Sequence, residues 1–300
     1  MIQVQKISKS FSQQKIIDNL SCKIEDNSIY GLVGANGAGK STLLRLLTGI
    51  YQRESGEIMI DGVDPFDQPV VKKNIVFVPD DLFFYTGYTL VDYAKIYQSL
   101  YPKFDMSQVK ELAAVLHLDL HRSIDTFSKG MKRQCALICA IATNAKYLFF
   151  DETFDGLDPV VRNFMKKKLM EQMTKQDTTI IMTSHNLREL EDICDHLGLL
   201  YQGGILFESE IDTLKTNMYK VQIGFSTAFD EQKFAKFDVL NYKKNGSVAT
   251  LILKGNEKSL KAELEKMKPL LLDFLPLTLE EIFMYEMEVL GYEFEEMVAR

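Results

Sequence analysis

Short continuous apolar runs alternate with stretches of helical spacing over the first two thirds of the chain. Ser28 to Val33, Asn74 to Pro79, the run ending at Asp151 and Glu152, and Thr178 to Thr183 have the length of strands buried on both faces, as in a parallel sheet. Helical repeats separate them. Leu43, Leu44, Leu46 and Leu47 follow the first run, and Val161, Phe164, Met165 and Leu169 follow the third. Two more faces, Leu90, Tyr93, Ala94, Tyr97, Leu100 and then Val109, Leu112, Ala113, Leu116, are split by Pro102, and a further helix runs from about Lys132 to Ala142. Ile2 to Ile7 and Ile16 to Ile24 read as strands around a polar turn, and Glu57 to Ile60 as a third. Leu187 to Cys194 then reads as a helix, with strands at Leu197 to Tyr201 and Ile205 to Phe207. The predicted class is α/β, a mixed sheet with an antiparallel β part and a helical part over about 86–142, occupying 1–215.

Around Asp212 to Asn217 this alternation breaks. Strands at Tyr219 to Phe225, Phe237 to Tyr242 and Ser247 to Leu253, with helices at Asn256 to Met267 and Thr278 to Leu290, predict a small α+β domain over 216–300. It carries no constellation of chemical groups, and packing, dimer contact and regulation all remain open for it.

The chemistry gathers where apolar runs stop. Gly34, Ala35, Asn36, Gly37, Ala38, Gly39, Lys40, Ser41 and Thr42 have the spacing of a phosphate-binding loop between a strand and a helix. Its glycines let backbone N–H groups crowd a phosphate, and the helix start adds positive potential. Lys40 would then reach the β- and γ-phosphates, and Ser41 would place its hydroxyl on Mg²⁺. The strand ending in Asp151 and Glu152 would bury two carboxylates, which fits Asp151 on the metal or its water and Glu152 polarising a water for attack. Asp80 and His185 also stand at strand ends, where ligands sit in open α/β sheets. Ser128 is a candidate N-cap and anion site, Asp158 caps a helix with Pro159 at its first position, and Phe11 either stacks on an adenine or is a half-exposed core residue. Leu82, Phe83, Phe84 and Tyr85 are either core or a docking surface.

Composition narrows the partners. A formal charge of −7 argues against nucleic acid, whose backbone is held by basic surface. The four cysteines have neither disulfide nor zinc spacing, and Cys135 and Cys139 read as a buried reduced pair, as in a cytoplasm. Neither a signal peptide nor a run long enough to cross a bilayer is visible, so a membrane role would come through a partner.

Taken in order, the motifs resemble those of the ATP-binding subunit of an ABC transporter over roughly 1–215, most like bacterial ABC-2-type exporters. The matches are the P-loop, a Q-loop position at Asp80, a signature at Phe127 to Met131, the Walker B strand ending in Asp151 and Glu152, a D-loop at Gly156 to Pro159, and a switch histidine at His185. The resemblance implies a P-loop NTPase core that uses ATP and Mg²⁺. Two domains, identical or merely related, would close head to tail so that the P-loop of one and Ser128 and Gly130 of the other hold one γ-phosphate. It further implies that Phe11 stacks on adenine, Glu152 is the general base, His185 contacts the γ-phosphate, Asp158 belongs to the nucleotide site, and Asp80 joins Ser41 and Asp151 at the metal. Leu82 to Tyr85 would receive a separate transmembrane permease, placing the chain on the inner face of the membrane.

Two positions depart from the pattern. Asp80 replaces the usual glutamine, and a charged group beside Asp151 and Glu152 would add repulsion and alter turnover. Lys129 and Met131 replace the commoner signature residues. A regulatory ATPase acting on ribosomes or DNA, and a nucleotide sensor of low turnover, are the other readings. The tandem domains, long coiled-coil insert or basic face that the first would show are not visible in the sequence.

Overall fold

The computed structural model describes residues 1–191, 193–216 and 218–289. Asp192 in the helix expected to Cys194, Asn217 in the predicted break, and Leu290 with the rest of the predicted second domain to 300 lie outside them. The chain divides into two compact units after Glu208.

The first unit holds strands β1 (Ile2–Phe11), β2 (Gln14–Ile24), β3 (Ile29–Val33), β4 (Ser55–Ile60), β5 (Ile75–Val78), β6 (Tyr147–Asp151), β7 (Thr179–Ser184) and β8 (His196–Tyr201), and β9 (Gly204–Glu210) crosses the division. Its helices are α1 (Lys40–Leu47), α2 (Pro69–Lys72), α3 (Leu90–Leu100), α4 (Met106–Val115), α5 (Lys129–Ala142), α6 (Pro159–Gln176) and α7 (Leu187–Glu191). Strands β1, β2 and β4 form an antiparallel sheet ordered β2-β1-β4. The larger sheet is ordered β5-β6-β7-β3-β8-β9, with β5 to β8 parallel.

Register explains why the sheet makes a site. Val78 lies opposite Phe150, Asp151 opposite Thr183 and Ser184 opposite Val33, so four strands end at one rim. Every residue of β3, β6 and β7 is buried, which is why these strands read as unbroken apolar runs. Helix α1 turns Leu43, Leu44, Leu46 and Leu47 into the same core as Tyr147, Phe149 and Ile181. At roughly 1.5–3 kcal/mol per large apolar side chain, this packing fixes the loop that precedes α1.

The helical part is held by its caps. Thr89 and Asp92 close a capping box at the start of α3, and Asp105 caps α4. Helix α5 begins at Lys129, three residues before the predicted Lys132, because Ser128 Oγ accepts from Met131 N at 3.2 Å. Helix α7 is shorter than predicted and ends at Glu191.

The second unit contains α8 (Ile211–Thr216), β10 (Met218–Gly224), β11 (Asp238–Asn245), β12 (Val248–Lys254), α9 (Glu257–Glu265), β13 (Leu271–Leu275) and α10 (Leu279–Val289). Its antiparallel sheet, ordered β11-β12-β10-β13, buries Val221, Ile223, Leu251 and Leu253 with Phe234 and Leu264. Helix α8 and strand β13 are additions to the elements the pattern predicts. The β13 run has no alternation, since its places are set by pairing with Lys220 to Gly224 on β10.

Candidate functional site

The loop from Gly34 to Gly39 leaves β3 and enters α1 with Gly37 at φ 82° and Gly39 at φ 106°, a region that favours glycine. Lys40 is buried, and its Nζ donates to the carbonyls of Gly34 at 2.7 Å and Ala35 at 3.2 Å. Ala38 N donates to Ala35 O, closing the turn. A cleft of about 290 Å³ opens here, lined by Phe11, Asn36, Gly37, Lys40, Thr42 and Glu152 among others. Gly39 and Ser41 line it too. Phe11 is on the rim, edge-on to Tyr51 at 5.4 Å.

Strand β6 delivers the carboxylates. Asp151 is buried, accepts from Thr183 Oγ1 at 2.9 Å and is hydrogen bonded to Ser41. Burial pushes its carboxyl above the ordinary range, against the pull of those bonds. The next residue, Glu152, sits at φ 47°, a left-handed backbone that a non-glycine residue adopts at a cost. Its N–H donates to Thr183 Oγ1 at 3.0 Å, so one threonine on β7 holds both acids. The turn aims the Glu152 carboxylate at Lys40 Nζ, 3.2 Å away, and at His185 Nδ1, 3.4 Å away.

His185 follows β7 and is half exposed. Asp155 Oδ2 lies 3.1 Å from its Nδ1. Behind Asp155 stand Ser184 and Glu189, and Arg162 holds Glu189 at 2.9 Å. Burial, followed by the neighbouring Glu189 and Glu152 carboxylates, keeps Asp155 protonated well above the usual carboxylate range. For Glu189, burial opposes the charge, but the Asp155 hydrogen bond and Arg162 prevail and hold it low.

The raised Asp155 has a sign that can be tested. From about pH 4 upward the native chain keeps a proton that an unfolded aspartate gives up, so Asp155 subtracts stability as pH rises toward neutrality. Asp155→Asn is expected to flatten that part of the stability profile, measured as urea midpoints from pH 5 to pH 8. An identical slope in both chains would place the proton elsewhere.

The other candidates are placed as follows. Ser128 Oγ caps α5, and Gly130 lies close to the Gly156 carbonyl, where an added Cβ would stand 3.7 Å away. Asp158 Oδ1 caps α6 by accepting from Val160 N at 2.9 Å. Ser128, Gly130, Asp158 and Asp80 are outside the lining of the Lys40 cleft. Asp80 instead accepts from Arg133 of α5 at 2.5 Å. Among charged groups, Arg45 and Glu152 bear on Asp151, and Asp80 is paired with Arg133.

Comparison with known proteins gives a consistent picture. The ABC transporter family model matches residues 17–155. The ABC transporter ATP-binding protein YtrB of Bacillus subtilis is 32% identical over 287 residues, covering 94% of this chain and 97% of its own. The bacitracin transport ATP-binding protein BcrA of Bacillus licheniformis is 31% identical, covering 72% of this chain and 71% of its own. A solved ATP-binding subunit of an ABC transporter superposes with a TM-score of 0.66 at 24% identity, over 72% of this chain and 92% of that one.

Proposed function

Because the chain belongs to the ABC transporter ATP-binding family and is an ATPase coupled to transport, we propose that two such domains close over ATP and power export through a separate transmembrane permease. The observation that carries this reading is convergence: Lys40 from the β3–α1 junction and His185 after β7 each come within 3.4 Å of the carboxylate of Glu152 after β6.

The loop amides and Lys40 hold the triphosphate. Ser41 and Asp151 offer only oxygen donors, the set suited to Mg²⁺, and the buried carboxyl of Asp151 is one that a cation would bring back to its charged form. Mg²⁺ bound there would neutralise charge on the β- and γ-phosphates. Glu152 takes the proton of the attacking water. With Nδ1 of His185 turned toward Asp155 and Glu152, Nε2 is the nitrogen left for the γ-phosphate. Ser128, free of the Lys40 cleft of its own chain, is available to the nucleotide of a second copy.

Mixing tests this arrangement. A Lys40→Ala chain and a Ser128→Arg chain are each expected to be inactive, and their mixture to recover ATP hydrolysis through one complete site. A mixture as inactive as its parts would defeat the head-to-tail pair.

The permease would dock at the loop after β5. Phe83 is 72% exposed and Tyr85 54%, whereas Phe84 turns inward against Tyr93 at 4.7 Å. Exposed aromatic rings of this kind mark contact surfaces. No described helix is long and apolar enough to cross a membrane. The doubly substituted Phe83→Asp, Tyr85→Asp chain is expected to lose sedimentation with membranes by about tenfold or more, as removal of two aromatic anchors implies. Undiminished sedimentation would move the docking surface elsewhere.

A further inference from the structure

Arg133 is an unusual residue to find buried. Its side chain is 5% exposed, its Nε has no hydrogen-bond partner, and its NH2 reaches Asp80, which is itself half exposed. Burying a guanidinium is costly unless a counter-charge is fixed beside it. Arg133 belongs to α5, one turn beyond the Ser128 cap, and Asp80 opens the loop that leaves β5. The pair therefore ties that loop to the first turns of the helix that presents Ser128.

The same loop is fastened at its far end. Gly87 N donates to Asp125 Oδ2 at 2.7 Å, and Ile124 N donates to Tyr88 O at 2.8 Å. Ile124 and Asp125 lie in a short 3₁₀ turn that runs directly into Phe127 and Ser128. The exposed Phe83 and Tyr85 are thus carried on a span whose two ends are both anchored beside the signature serine. A third contact continues the connection: a Cβ added to Gly156 would stand 3.4 Å from Arg133 NH1, so Arg133 also borders the loop that leads to Asp158.

We propose that Asp80 and Arg133 are positioning residues, an ion pair that sets the placement of Ser128 relative to the aromatic docking loop, and that Asp80 serves this pair and not the metal. The proposal rests on the reading that Ser128 completes the nucleotide site of a second copy. Pushing on the loop then moves the signature serine, because the loop is held at both ends to the elements that flank it. A carboxylate is needed at position 80 because a neutral amide would take away the charge paired with the buried Arg133 guanidinium.

The test uses the full chain carrying Glu152→Gln, in which turnover is blocked. Its ATP-dependent dimer is measured by analytical ultracentrifugation, and its nucleotide affinity and Mg²⁺ requirement with a fluorescent ATP analogue. Asp80→Asn and Arg133→Gln are each expected to raise the dimer dissociation constant about tenfold, and the double variant to be no worse than either alone. Nucleotide affinity and Mg²⁺ requirement of the monomer stay as in the parent. Asp80→Asn replaces a half-exposed group by its isostere, so that arm stands even where Arg133→Gln folds poorly. A shift in Mg²⁺ requirement with Asp80→Asn, additive effects on the dimer, or unaltered dimerisation in a parent that does dimerise would each overturn the proposal. A parent that stays monomeric in ATP would instead remove the dimer reading from which the proposal starts.

Discussion

Glu152→Gln is expected to lower steady-state ATP hydrolysis by about 10³-fold, the middle of the range for removal of a general base, while ATP binding persists. The amide occupies the space of the carboxylate but cannot accept the proton of the attacking water. The neighbouring groups keep other anchors when that charge is lost. Lys40 keeps the carbonyls of Gly34 and Ala35, and the left-handed turn at residue 152 keeps the bond from its N–H to Thr183 Oγ1. Asp151 keeps Thr183 and Ser41, and loses the repulsion of its neighbour. Phosphate release and nucleotide titration, run on the same preparation, separate the two effects. Turnover within a fewfold of the parent would assign the proton to another group, and Asp155 would be the first to examine because it also faces His185.

The geometry shows why some of this site was legible in the order of residues and some was not. Each strand end that carries chemistry announces itself as an apolar run interrupted by a charge, because a strand buried on both faces tolerates polar residues only where it emerges. Asp151, Glu152 and His185 were visible for that reason, and Lys40 through the glycine spacing of the loop before it. Thr183 was hidden within such a run, since a threonine is an ordinary strand residue until Asp151 and Glu152 are placed beside it, over thirty residues away in the chain. Arg133 carries no such signal, because an arginine on a helix ordinarily sits on its solvated side. Its burial follows only from the packing of α5 against the core, and its partner at position 80 lies 53 residues earlier. Asp155 sat in a stretch read for its turn and its cap, whereas its surroundings come from β7 and α7. In the second unit the alternating strands were evident, but β13 is an apolar run whose state is decided by its partner strand. Periodicity records which face of an element is buried. It carries no record of which distant group meets a given side chain.

Lys40→Ala is expected to have the other large effect, a fall of about 10³-fold in kcat/KM, since a buried cation aimed at developing phosphate charge acts in both binding and the transition state. Here, unlike Glu152→Gln, affinity is expected to fall as well, by about 10- to 100-fold for the loss of charge-assisted hydrogen bonds. The fold should tolerate the change. Lys40 is not among the residues of the hydrophobic core formed by Leu43, Leu44, Leu46 and Leu47. Its departure also leaves Glu152 without its nearest cation, so that acid is left facing His185 alone. Lys40→Arg distinguishes charge from shape. The ammonium fits between two carbonyls of one turn at 2.7 and 3.2 Å, and a planar guanidinium cannot donate along those two directions from the same atom. Arginine is therefore expected to restore less than a tenth of the lost kcat/KM, a deficit of about 1.4 kcal/mol or more against lysine. Full rescue by arginine would mean that net charge in the cleft, and not the seat of that charge in the loop, is what the reaction requires.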